Sequence, residues 1–166
     1  MATRMIQKYG SEVLRKRAQE IEEINGTVLT LVKDMKETMH ASSGVGLAGN
    51  QVGVLLRIIT FVYPETQKDG VLLNPEIVYR SEERELGEEG CLSIPEIYAK
   101  VERSREVLVK GMNEEGEKVT MEAQGFLARI LQHEIDHLDG ILFVDRLSPS
   151  RRLLLGGKLK KAASQW

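Results

Sequence analysis

The apolar positions of this chain change period several times, and each change marks an element. Between residues 11 and 40, Val13, Leu14 and Ala18, then Val28, Leu31, Val32, Met35 and Met39, recur at three- and four-residue spacing, which predicts helix with a break at "INGT". Residues 44–53, "GVGLAGNQVG", hold four glycines and predict a loop whose backbone approaches something closely or takes unusual dihedrals. "LLRIITFVY" and "VLLNPEIVY" are β-branched and aromatic and flank the turn-like "PETQKDG", which predicts neighbouring antiparallel strands. "SEERELGEEG" is an acidic, polar run that delivers the chain to "CLSIP". Two further strands are expected in "EVLVKGMNEEGEKVTMEA", joined at "NEEG". From Phe126 to Leu138, Leu127, Ile130, Leu131, Ile135 and Leu138 form a helical stripe, with Gly140 where a helix C-terminus would sit.

Strands before and after isolated helices predict an α+β fold, with antiparallel sheets packed around the 126–138 helix and further helices at both ends. With 166 residues, 42% of them hydrophobic, and no linker or repeat, one domain over 1–166 is expected. A formal charge of −2 argues against DNA or an acidic membrane as the main partner. No apolar run reaches the roughly 18–20 residues of a membrane span, and "MATRMIQKYG" lacks the apolar core of a secretory signal, so a cytoplasmic protein is expected. The lone cysteine, Cys91, fits a reducing compartment.

The 126–138 helix carries the chemistry. In "QHEIDHLDG", His133 and His137 stand one turn apart and project in nearly the same direction, so that two imidazoles can grip one ion. Glu134 leans beside that face, where a carboxylate can reach a water as a general base. Two histidines do not close a catalytic site. The familiar downstream ligands are absent, since position 143 is Phe143 and no acidic residue follows Asp145. Among upstream residues of suitable softness, His40 reads most simply as a solvated helix-end residue. Cys91, in the tight "EEGCLSIP", is the stronger candidate, because an inert buried cysteine more often sits within an apolar run.

Three segments, "GVGLAGNQ", "EEGCLSIP" and "QHEIDHLDG", together with "VLRKRA" near the start and "ILFVDRLSP" near the end, resemble the peptide deformylases over nearly the whole chain. The resemblance implies a metal-dependent hydrolase that removes the formyl group from the initiator methionine of new polypeptides and releases formate. Carried over motif by motif, it implies Cys91, His133 and His137 as ligands and Glu134 as the proton carrier. Gln51 and the backbone N–H of Leu92 would stabilise the oxyanion. It points to Fe2+ as the native ion, although a thiolate with two imidazoles also accepts Zn2+, Ni2+ or Co2+.

An apolar methionine pocket is expected from Val45, Phe126 and Ile130, which are equally good core residues. Gly44, Gly46 and Gly90 would let a peptide backbone come close. Glu89 pairing with Arg103 would hold the Cys91 loop. Two departures stand out. Gly49 occupies the place of the second alanine in the family's Gly-x-Gly-Leu-Ala-Ala-x-Gln and is expected to loosen the loop, and Tyr98 stands near where some members carry a substrate-contacting arginine. The basic segment 148–166, which begins like a helix but meets Gly156-Gly157, is expected to be a frayed tail, or else a helix that docks on ribosomal RNA near nascent chains.

Overall fold

The computed structural model describes residues 2–165. Helix α1, Gly26–Ala41, is followed by β1 (Gly46–Ala48), β2 (Ile58–Val62), β3 (Asp69–Arg80), β4 (Arg84–Cys91), β5 (Ile94–Ser104), β6 (Glu106–Met112) and β7 (Lys118–Gln124). Helices α2, Gly125–Leu138, and α3, Pro149–Gln165, complete the chain. Strands β1-β2-β3-β6-β7 form one antiparallel sheet and β4-β5 a separate hairpin. The expected α+β class holds, as do the β2–β3 and β6–β7 neighbours and the 126–138 helix.

The unbroken burial of β2, Thr60 included, follows from its place between two helices. Ile59 and Phe61 face α2 with Leu72, Val109, Leu131 and Ile135. Ile58 and Val62 face α1 with Val32, Met35, Met39 and Leu73. A strand covered on both faces needs no polar alternation. Each fully buried aliphatic side chain in these layers stabilises the fold by about 1.5–3 kcal/mol relative to exposure. A third cluster joins Ile94, Ile97 and Val101 of the hairpin to Leu14, Phe143 and Val144.

Three expectations are corrected. Residues 11–25 are not helical beyond a short 3-10 turn at Glu12–Arg15. The following stretch runs extended, because its backbone is bonded across the fold: Ala18 N donates to Leu138 O at 2.8 Å, Gln19 N to Leu55 O at 2.9 Å, and Arg57 N to Gln19 O at 2.9 Å. The helix itself starts at the predicted break, where Asn25 caps it by accepting from Val28 N at 3.0 Å. The acidic run is not a mere connection but strand β4, paired along most of its length with β5. Segment 148–165 is no frayed tail, since α3 packs Leu159 and Ala162 into the third cluster. Its Gly156 and Gly157 have nothing within 4 Å of where a Cβ would stand, so they interrupt no contact. Trp166 lies outside the described residues. Among the described residues, no helix is long and apolar enough to cross a membrane.

Candidate metal centre

Helix α2 lies with its stripe in the core, and the other side of the same helix meets the hairpin. His133 and His137 are both buried, with ring centroids 5.1 Å apart. The end of β4 brings Cys91 to them: its Sγ is 3.3 Å from His137 Nε2, and one donor atom from each of the three residues falls within a 4.8 Å cluster. Among the described residues no other group of histidine, cysteine and carboxylate donors meets in this way. His40 is far from this cluster in role, since it pairs with Asp69 at 2.6 Å at the exposed end of α1.

The donor set suits a divalent ion of intermediate softness, with one sulfur and two ring nitrogens. Burial opposes charge on both rings. His133 is raised well above its ordinary value, the cost of burial being outweighed by the Glu134 charge and by bonds to Cys91 and Glu89. His137 is held well below its ordinary value by burial and then by the His133 charge, which leaves its ring neutral and able to offer a lone pair.

Glu134 is buried beside the cluster, and its Oε1 has no hydrogen-bond partner among the described residues. Burial pushes its carboxyl up to about 7, with the His133 charge opposing and the Glu89 charge adding. The space it occupies exists because residue 46 is glycine: a Cβ there would stand 2.5 Å from Glu134 Oε2. Gln51 is also buried and points at the same place. Its Oε1 accepts from Ala48 N at 3.0 Å, which fixes which end of the amide is nitrogen. Its Nε2 then lies 3.1 Å from Ser93 Oγ and 3.5 Å from Cys91 Sγ. Leu92 follows Cys91 at the turn between β4 and β5, and its N–H has no backbone carbonyl partner among the described residues.

Glu89 and Arg103 meet as expected, through Arg103 Nε to Glu89 Oε2 and Nη2 to Oε1, both at 2.9 Å. Glu89 Oε1 also accepts from His133 Nδ1 at 2.8 Å, which turns that ring's Nε2 to the cluster. Burial alone would raise the Glu89 carboxyl, but the bonds from Arg103 and His133 hold it well below the usual carboxylate range. Two members of this network are not singled out in the sequence, although Asp136 lies inside "QHEIDHLDG". Asp136 accepts from Arg103 Nη1 at 2.6 Å and from Arg146, and Arg129 donates to Glu89 Oε2 at 2.6 Å. The only hint in the sequence is that charged residues recur on an otherwise apolar helix.

A cavity of about 550 Å³ opens over the cluster, and Val45, Gly46, Gly90, Phe126 and Ile130 all line it. Ile130 is buried, whereas Val45 is 45% and Phe126 53% exposed, so these two are rim residues and not core. Tyr98 lies over Gly90, where a Cβ would come within 2.5 Å of the ring. Gly49 corrects the expectation of a looser loop: a Cβ there would stand 2.6 Å from Leu56 O and 2.8 Å from Val54 O, so this glycine permits tight packing.

The polypeptide deformylase family model matches residues 3–153. Peptide deformylases of Pseudothermotoga lettingae (47% identical, covering 96% of this chain and 92% of that one) and Thermodesulfovibrio yellowstonii (49%, covering 96% and 98%) are similar in sequence. The solved peptide deformylase of Thermus thermophilus superimposes with a TM-score of 0.91 at 39% identity, covering 98% of this chain and 99% of that one. That of Ehrlichia chaffeensis in complex with actinonin gives 0.89 at 38% identity, covering 97% and 98%.

Proposed function

Because the chain belongs to the peptide deformylase family, whose members are metal-dependent hydrolases of N-formylmethionyl peptides, we propose that Cys91, His133 and His137 hold the divalent ion for that reaction. Its activity is removal of the formyl group from the N-terminal methionine of newly made polypeptides, with release of formate. The observation that carries the ligand assignment is the meeting of one sulfur and two ring nitrogens within 4.8 Å, beside a buried carboxylate and under an open groove.

When bound, the ion supplies Lewis acidity, which polarises the formyl carbonyl and makes water nucleophilic near neutral pH. Glu134 accepts the proton of the attacking water and passes it to the amine as the carbon–nitrogen bond breaks. A carboxyl pushed up to about 7 is matched to carrying a proton in both directions. Gln51 Nε2 and the Leu92 N–H donate to the formyl oxygen as it gains negative charge, and the Gln51 amide is fixed before substrate arrives. Ile130, Val45 and Phe126 receive the methionine side chain, while Gly46 and Gly90 let the peptide backbone lie alongside. One catalytic domain spans the chain, because helix, sheet and hairpin each contribute part of this site.

Among Fe2+, Zn2+, Ni2+ and Co2+, all acceptable to these donors, Fe2+ is the native ion in this reading, and a cytoplasmic setting keeps the thiol reduced. Helix α3, with Leu159 and Ala162 anchored and Lys158, Lys160 and Lys161 exposed, serves as a basic contact to the ribosome near nascent chains. Replacing those three lysines by glutamine should weaken ribosome binding at low salt, and unchanged binding contradicts this contact. For the reaction itself, anaerobically prepared Fe2+ protein should release formate from formyl-Met-Ala-Ser and nothing from the acetylated peptide. Equal cleavage of both, or of neither, contradicts it.

A further inference from the structure

Arg129 stands on α2 one turn before His133, 8% exposed, and its guanidinium is used in an unusual way. Besides Glu89, its Nη1 donates to Val101 O at 2.8 Å, with Gly87 O at 3.4 Å, and its Nη2 donates to Glu85 O at 2.7 Å. Glu85 and Gly87 belong to β4 and Val101 to β5, so one side chain of the helix grips both strands of the hairpin. The room for it comes from Gly87, where a Cβ would stand 2.9 Å from the guanidinium carbon.

We infer that Arg129 is a positioning residue that sets the spacing between the Cys91 thiolate on β4 and the two imidazoles on α2, and that Gly87 is the counterpart that admits it. This rests on Cys91, His133 and His137 being the ligands. The Glu89–Arg103 pair lies within the hairpin, and the hairpin is tied to α2 by Glu89 on His133 and by Gln132 on both backbone groups of Ser104 as well as by arginines. The two arginines bracket the ligands along α2: Arg103 reaches Asp136, next to His137, and Arg129 reaches from the turn before His133 and alone grips the backbone of both strands. Metal–sulfur and metal–nitrogen bonds have lengths of about 2.0–2.3 Å, so donors on two separate elements bind well only if those elements are held to a few tenths of an ångström. Backbone carbonyls bonded to a buried guanidinium give such a hold, because the charge-assisted bonds are short and the planar fork is rigid.

The test measures Co2+ affinity by chelator competition on the full chain, with the cobalt–thiolate absorption band recorded alongside. Arg129→Met, Gly87→Ala and the double variant are compared with Cys91→Ser. Either single change should weaken Co2+ binding by about 10–100-fold and perturb the band. The double variant should lose little more than Arg129→Met alone, because the three atoms nearest a Cβ at residue 87 all belong to the guanidinium that is gone. Should Arg129→Met fail to fold, Gly87→Ala, which keeps every side chain of the network, carries the test. A lower unfolding temperature with unchanged affinity and unchanged band means a merely structural role and overturns the inference, as do independent, additive losses. If Cys91→Ser itself leaves affinity intact, the ligand assignment fails and the inference falls with it; if only the Arg129 and Gly87 variants are silent, the inference alone fails.

Discussion

Glu89 Oε1 and His133 Nδ1 are 2.8 Å apart, and the same carboxylate is held by Arg103 and Arg129. A ring whose Nδ1–H is given to a fixed carboxylate presents its Nε2 as a lone pair in one direction and is made more basic by the contact. Replacing Glu89 by Gln keeps the shape but removes the charge, and leaves two buried guanidinium groups short of a partner. Metal affinity, read by chelator competition, should fall by about 10–100-fold. An unchanged affinity would mean that the ring needs no such support.

Gln51 is held at both ends, by Ala48 N and Ser93 Oγ, so its Nε2 is placed in advance. Gln51→Leu retains bulk and removes the donor. The turnover number on formyl-Met-Ala-Ser should drop by about 10²–10³-fold with a much smaller change in KM, since the bond strengthens as charge develops. A loss confined to KM would place Gln51 in ground-state binding instead.

Placing an alanine at residue 49 should harm this chain. The added methyl would press on two backbone carbonyls, Leu56 O and Val54 O, neither of which can swing aside as a side chain could. Gly49→Ala should lower stability by about 1–3 kcal/mol in urea unfolding. A neutral or stabilising result would show that the loop has slack.

The pH dependence is clearest at the N-terminal segment. Asp34 accepts from Ala2 N at 3.1 Å and from Arg4 Nε at 3.0 Å, and the Ala2 bond, with Arg4 adding to it against burial, holds its carboxyl below the usual value. A carboxyl depressed in the folded state stabilises fully above its unfolded pKa, about 3.9, and loses that contribution as pH falls through the lower folded value. Wild type should therefore exceed Asp34→Asn in stability by a constant margin above about pH 5, and the margin should shrink on acidification. Unfolding curves from neutral to acid pH check this, and a margin that grows on acidification contradicts it.

Much of the site was readable because its chemistry sits in short motifs. His133, Glu134 and Cys91 were recognisable from residue type and spacing, and α2 from the periodicity of Leu127, Ile130, Leu131, Ile135 and Leu138. The β4–β5 hairpin was not, because it pairs only with itself and leaves Glu85, Leu86 and Glu88 facing solvent, so its sequence looks like a polar connection. Residues 11–25 misled for the opposite reason. Leu14 and Ala18 are buried as a helix stripe would be, but by an extended chain whose hydrogen bonds go to distant backbone. The roles of Arg129 and Asp136 depend on strands some 30 to 45 residues away in sequence, which no local pattern records.

The measurement that bears most directly on the catalytic account is formate release by Glu134→Gln, with the bound metal determined in the same sample. Glu134 Oε1 hydrogen-bonds to no other described residue, and Glu134 is not one of the three clustered donors, so its loss should leave the metal in place. The account predicts metal content equal to wild type and a rate lower by at least about 10²–10⁴-fold. Activity within a few-fold of wild type, or loss of the metal along with the rate, would contradict it.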